Sequence, residues 1–189
     1  MIVTNLGEGC FRLQSGEVSL LIDPSGNRLK ADVTLRTVAS AEEFPESEDI
    51  IIFAGEYETK GIDIEGMQVE AESTSKEVKT VYAVNFEDVR FAVFGTIASL
   101  PDVKVMEKIG TPDVVLLPVD EDHYLSPEDA EKIVKQLGPA VVIPTFAGKK
   151  SLDKFAKNLG QKIAPEEKFV FKKKDLVAEE GKLVVLAAK

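Results

Sequence analysis

Short runs of apolar, β-favouring residues bounded by polar and turn-forming positions fill most of the first half of the chain. Ile2 to Leu6, Phe11 to Gln14 and Val18 to Ile22 are β-rich runs, and Ser15-Gly16 between the last two supplies a turn, which predicts an antiparallel meander. Asp23-Pro24-Ser25-Gly26-Asn27 provides the next turn. Val33 to Leu35, Ile50 to Phe53, Ile62 to Val69, Thr80 to Phe86 and Arg90 to Phe94 continue the strand pattern, with Glu87-Asp88 as a hairpin turn. Beyond Pro101 the pattern changes character. Helical stretches then alternate with the apolar runs Val114 to Pro118 and Ala140 to Pro144, as expected when helices cover one face of a sheet.

The clearest helix is predicted over Ser126 to Leu137. Ser126 can cap it, Pro127 fits the first turn, Glu128 and Asp129 complement the dipole, and Gly138-Pro139 ends it. Ala130, Ile133, Val134 and Leu137 then share one apolar face. A second helix is expected from about Ser151, where Leu152, Phe155, Ala156 and Leu159 recur before Gly160, and another over Asp102 to Ile109, closed by Gly110. Phe169 to Phe171 and Leu183 to Leu186 return to strands. No repeat, low-complexity tract or flexible linker divides the sequence, so residues 1–189 read as one domain.

The 189 residues are 44% hydrophobic, enough to bury a core without disulfides or lipid. A net charge of -10 repels phosphate backbones and anionic headgroups, so neither nucleic acid nor membrane is expected as a partner. Lys172, Lys173 and Lys174 follow an apolar run and read as a solvated strand end. Gly7, Glu8 and Arg12 interrupt any leader-like N-terminal segment, nothing is long enough to span a bilayer, and the lone Cys10 cannot form an internal disulfide. These features give a cytoplasmic expectation.

Several strings occur in a telling order. Asn5-Leu6-Gly7-Glu8-Gly9-Cys10-Phe11-Arg12-Leu13-Gln14 is followed by Leu20-Leu21-Ile22-Asp23-Pro24, then Lys30-Ala31-Asp32-Val33, Ala54-Gly55-Glu56-Tyr57-Glu58 leading to Gly61-Ile62, and Val81 to Gly95. Pro112 to Val119 and Val141-Val142-Ile143-Pro144 complete the set. Over roughly residues 1–147 the chain resembles the metallo-β-lactamase superfamily, in its ascorbate-6-phosphate lactonase-like and predicted zinc-dependent hydrolase branch. The resemblance implies an α/β fold, an αββα sandwich of mixed sheets with helices on the outer faces and a cleft at one edge of the two sheets.

It also implies a chemistry. Members of that superfamily hold one or two metal ions with a His-x-His-x-Asp-His loop, a mid-chain Asp after Gly and late histidines, so that a bound water ionises near neutrality. At the matching places this sequence has Val38 and Ser40 for the leading histidines, Glu42 and Glu43 for the Asp-His pair, Thr96 after Gly95, Phe146 after Pro144-Thr145, and Glu8 for the N-terminal histidine. The whole chain contains one histidine and one cysteine, which cannot assemble a dinuclear zinc site of that kind. No catalytic residue, metal or other cofactor is therefore expected, zinc included.

The remaining candidates each have a plainer alternative. His123, in Asp120-Glu121-Asp122-His123-Tyr124, could serve as a general base or be an exposed loop residue. Glu8, Glu42 and Glu43 could form an oxygen-ligand site for magnesium, calcium or manganese, or a solvated acidic loop. Cys10 reads as a small buried side chain, since no nearby histidine is visible in the sequence to activate it. Gly-x-Ser-x-Gly is absent. Gly7-x-Gly9 and Gly148-Lys149-Lys150-Ser151 fall short of nucleotide-binding motifs and read as turns. Gly55-Glu56-Tyr57-Glu58 either shapes the cleft or fixes an exposed connection.

Three readings stay open. One is a binding, regulatory or scaffold protein that has lost zinc-dependent hydrolysis, with a small molecule or protein as its partner. Another is a hydrolase of the superfamily using a divergent carboxylate-rich metal site or, through His123, no metal. The last is a structural subunit whose cleft has filled with Val38, Phe146 and neighbouring apolar groups.

Overall fold

The computed structural model describes residues 1–26 and 28–189; Asn27, expected within the turn after the third strand, lies outside the described residues. In chain order the strands are β1 (Ile2–Gly7), β2 (Cys10–Ser15), β3 (Val18–Ile22), β4 (Val33–Leu35), β5 (Val38–Ser40), β6 (Ile50–Ile51), β7 (Gly55–Thr59), β8 (Ile62–Gln68), β9 (Glu77–Phe86) and β10 (Val89–Val93). There follow α1 (Val103–Ile109), β11 (Val114–Pro118), α2 (Pro127–Leu137), β12 (Val141–Thr145) and α3 (Lys149–Asn158). The short strands β13 (Pro165–Glu166), β14 (Phe169–Val170), β15 (Lys182–Leu183) and β16 (Val185–Leu186) complete the order.

Two mixed sheets form the sandwich. One runs β14-β1-β2-β3-β4-β6; the other runs β15-β12-β11-β10-β9-β8-β7, with β5 added against β9. The expected meander holds for β1 to β3, but β4 joins β3 in parallel and β6 joins β4 in parallel. Two further expectations are corrected. Gly55 to Glu58 is no connection but the edge strand β7, antiparallel to β8, and Gly148 to Ser151 is no turn but the cap and first residues of α3.

Strand alternation decides which side chains meet. Val3, Phe11, Leu13, Leu20, Ile22 and Leu35 point from the first sheet into one buried cluster with Ile64, Val84, Phe91, Leu116 and Ile143 of the second. At about 1.5–3 kcal/mol for each large apolar side chain removed from water, this layer is the main cohesive force between the sheets. The opposite face of the second sheet supplies Val81, Ala92, Val115 and Val142 to another cluster, closed by Val105, Met106 and Ile109 of α1, Ile133 and Leu137 of α2, and Phe155 of α3. All three helices lie on that side. Among the described residues no helix covers the outer face of the first sheet, and none is long and apolar enough to cross a membrane.

The helices begin and end where their caps dictate. Ser126 Oγ accepts from Asp129 N at 3.1 Å and Gly138 stops α2 in the left-handed region, its N–H donating to Val134 O at 2.9 Å. Asp102 Oδ1 accepts from Val105 N at 2.9 Å at the start of α1. The C-terminal segment then stitches the layers together. β14 pairs with β1 and β15 with β12, the Met1 amine donates to Phe171 O at 2.9 Å, and Asn5 Nδ2 donates to Leu186 O at 3.0 Å. Lys172 to Lys174 are exposed after β14, where Lys173 and Lys174 begin a short 3-10 helix, with Lys173 Nζ 2.5 Å from Asp113 Oδ2.

Candidate functional site

At one end of the sandwich the hairpin tip between β1 and β2 and the segments leaving β3, β10 and β12 converge. Their side chains close on one another. The Phe146 ring lies over Gly9 so tightly that a Cβ at that glycine would stand 1.9 Å from Phe146 Cζ. The Tyr124 ring also packs against it, with centroids 4.8 Å apart. Phe146 itself has φ 48°, a left-handed backbone that costs a bulky residue energy and persists only because the surroundings fix it. What remains between Gly9, Asp23, Gly95, Thr145 and Phe146 is a cavity of about 10 Å³, about the room of one water molecule. Thr145 Oγ1 is buried at its wall with no hydrogen-bond partner among the described residues.

A second closure lies beside the first. Thr37 is 1% exposed and packs on Gly95, where a Cβ would come within 2.3 Å of both its Cβ and Oγ1. Asp23 holds Thr37 there: the Thr37 backbone N–H and Oγ1 hydroxyl each donate to it at 2.6 Å. Burial pushes the Asp23 carboxyl above its ordinary 3.8, against the lowering effect of those two bonds and of Arg36. The following residues are consumed in a strand. β5 pairs Val38 with Lys79 and Ser40 with Glu77, Thr80 N–H donates to Thr37 O at 2.9 Å, and Tyr82 hydroxyl donates to Arg36 O at 3.0 Å.

The raised pKa has a testable sign. Stability tied to protonated Asp23 is fully present below 3.8 and is lost as pH rises through the higher folded-state value. Asp23→Asn cannot ionise, can still accept from Thr37 N–H, and tolerates the residue's φ of 45°. It is expected to melt at or above the wild type at pH 7, the advantage shrinking toward pH 4. Asp23→Ala should lose about 1–3 kcal/mol for each donor left unsatisfied. Thermal melts of the three proteins across that range provide the check; a wild type that outlasts Asp23→Asn at pH 7 would contradict the assignment.

The residues singled out from the sequence are placed as follows. Glu8 is exposed at the hairpin tip with φ 51°. Val38 is half-buried in β5, Ser40 ends that strand exposed, and Glu42 is exposed. Glu43 pairs with Arg36. Thr96 is half-buried, its carbonyl accepting from Lys79 Nζ at 2.9 Å. His123 is exposed in its loop, where its ring meets Tyr124 edge-on. Cys10 is 1% exposed, its thiol pushed up to about 11 by burial and by Asp23, with Arg12 opposing; this is an unreactive buried thiol. Among the described residues no three His, Cys, Asp or Glu side chains converge.

Sequence reasoning missed Glu72. Its carboxylate accepts from Ala98 N and from Ser99 N and Oγ at 2.7–3.0 Å, and from Lys79 Nζ at 2.9 Å. Burial would raise its pKa, but these donors together hold it below the ordinary carboxylate value. Glu72 thus anchors the loop after β10, beside Gly95 and Thr96.

The comparisons fit this architecture. A family model described as the beta-lactamase superfamily domain matches residues 2–146. The chain belongs to the metallo-β-lactamase superfamily. Among solved structures, this superfamily member is similar to TM0207 of Thermotoga maritima, assigned to the Zn-dependent hydrolases of the superfamily, at 23% identity over 98% of each chain with a TM-score of 0.79. A protein of Parabacteroides distasonis assigned as a metal-dependent hydrolase gives 15% identity over 99% of this chain and 93% of its own, with a TM-score of 0.66. Igni18, a metallo hydrolase of Ignicoccus hospitalis, gives 18% over 90% and 99%, with a TM-score of 0.64. At such identities the shared property is the fold. No curated protein matches the sequence significantly.

Proposed function

We propose that this superfamily member does not carry out zinc-dependent hydrolysis and serves as a binding or scaffold protein built on the hydrolase fold. The observation that supports it most directly is the Phe146 ring seated on Gly9. An aromatic side chain there supplies volume where the fold's chemistry requires an electron-pair donor and an open coordination position. The donors nearby do not fit a zinc or iron ion either. Asp23 is the carboxylate lining the cavity, and both its oxygens accept from Thr37. The oxygen-ligand alternative has less support, because Glu43 is engaged by Arg36 while Glu8 and Glu42 are exposed and converge on nothing among the described residues.

The test is metal analysis of protein purified without an affinity tag or added metal. Zinc, manganese and iron are expected far below one equivalent per chain. Adding zinc or a chelator should leave the melting temperature unchanged, since an ion bound to the native state alone would raise it. Stoichiometric metal, or a melt that collapses with chelator, would overturn the reading.

A further inference from the structure

We propose that the groove between residues 29–32 and 43–50 receives a basic segment of another protein, one that presents an aliphatic or aromatic side chain between lysines or arginines. The groove encloses about 660 Å³, within the range of ligand-sized sites, and shares no lining residue with the closed cavity behind Phe146. It lies on the first sheet's outer side, which no helix covers among the described residues. Thr34 and Ile50, cross-strand neighbours in β4 and β6, form part of its lining.

Its lining is apolar where an anchor would sit. Leu29, Phe44 and Pro45 contribute to it, with Leu29 38% and Phe44 86% exposed. Phe44, almost wholly in water beside a proline that restricts the backbone, offers a partner a preorganised apolar contact.

Charge selects the partner. Asp32, Glu43, Glu46 and Asp49 border the groove against Lys30 and Arg36; Glu43 pairs with Arg36 and Asp49 with Lys60, which leaves Asp32 and Glu46 against Lys30. Glu42 and Glu48 extend the same sign, both exposed. An anionic ligand or a second copy of this chain, whose net charge is -10, would be repelled. A bare polyamine would leave Leu29 and Phe44 uncovered. A basic segment with an apolar anchor satisfies both features, its cations reaching the carboxylates and the face of the Phe44 ring.

A random dodecapeptide library displayed on phage, selected against the full chain, tests this. Enriched sequences should carry an aliphatic or aromatic residue flanked by lysine or arginine. As synthetic fluorescein-labelled peptides they should bind Phe44→Ser about tenfold more weakly than wild type, and the Glu46→Gln, Glu48→Gln double variant with a flatter salt dependence. Both substitutions fall on exposed residues, and matching thermal melts would show that the fold is kept. No enrichment, enrichment of sequences lacking basic residues, or equal affinity for wild type and Phe44→Ser overturns the proposal.

Discussion

Gly95→Ala is expected to be among the most damaging single-methyl additions this protein can suffer. The new Cβ would enter the van der Waals space of Thr37 Cβ and Oγ1, and Thr37 cannot retreat because Asp23 grips it with two 2.6 Å hydrogen bonds. Overpacking a rigid interior costs about 1–3 kcal/mol. The residue's φ of 61° adds about 1–2 kcal/mol for any side chain. Against a total stability of about 5–15 kcal/mol, and at about 2–4 °C per kcal/mol for a chain of this size, the melting temperature should fall by several degrees or more. The double variant Gly95→Ala, Thr37→Ser removes one clashing methyl and should recover part of the loss; a single variant that melts within a degree of wild type would show that the contact is not tight.

Phe155→Ala should match it from the opposite layer. Phe155 is fully buried where α3 packs against α2 and the second sheet. Truncating a buried phenylalanine costs about 3–5 kcal/mol, the larger figure applying where the surroundings cannot collapse into the void. Chemical denaturation should show a lower midpoint with an unchanged slope. A change of less than about 1 kcal/mol, outside the range for such truncations, would mean that α3 contributes little to holding the helical layer down.

The two packing sites differ in how far the sequence announced them. The spacing of Leu152, Phe155 and Ala156 marks a helical apolar face, and Ser126, Gly138 and Gly110 mark helix limits by caps whose chemistry is local. Such features are legible because the interacting groups lie within a turn or two of each other. The pair Thr37 and Gly95 is separated by the whole central part of the sheet, and nothing in either neighbourhood signals the other. β7 escaped notice for a different reason: Gly55-Glu56-Tyr57-Glu58-Thr59 has one large apolar residue, because an edge strand facing water on one side needs few. The parallel junctions β3–β4 and β4–β6 were also invisible, since strand direction depends on connections whose path the sequence does not state. That the chain holds a single histidine was plain from counting; that a phenylalanine ring is seated on Gly9 required coordinates.

The seam formed by residues 165–186 carries an implication for how the molecule is made. β1 is synthesised long before its outer neighbour β14 and the carbonyl that accepts from the Met1 amine, which come from a segment more than 160 residues further along the chain. Until then the first sheet has an unfinished border, and so does the second at β12. At a synthesis rate of about 5–20 residues per second, the nascent chain leaves the β1 edge unpaired for about 8–30 seconds before that seam can zip.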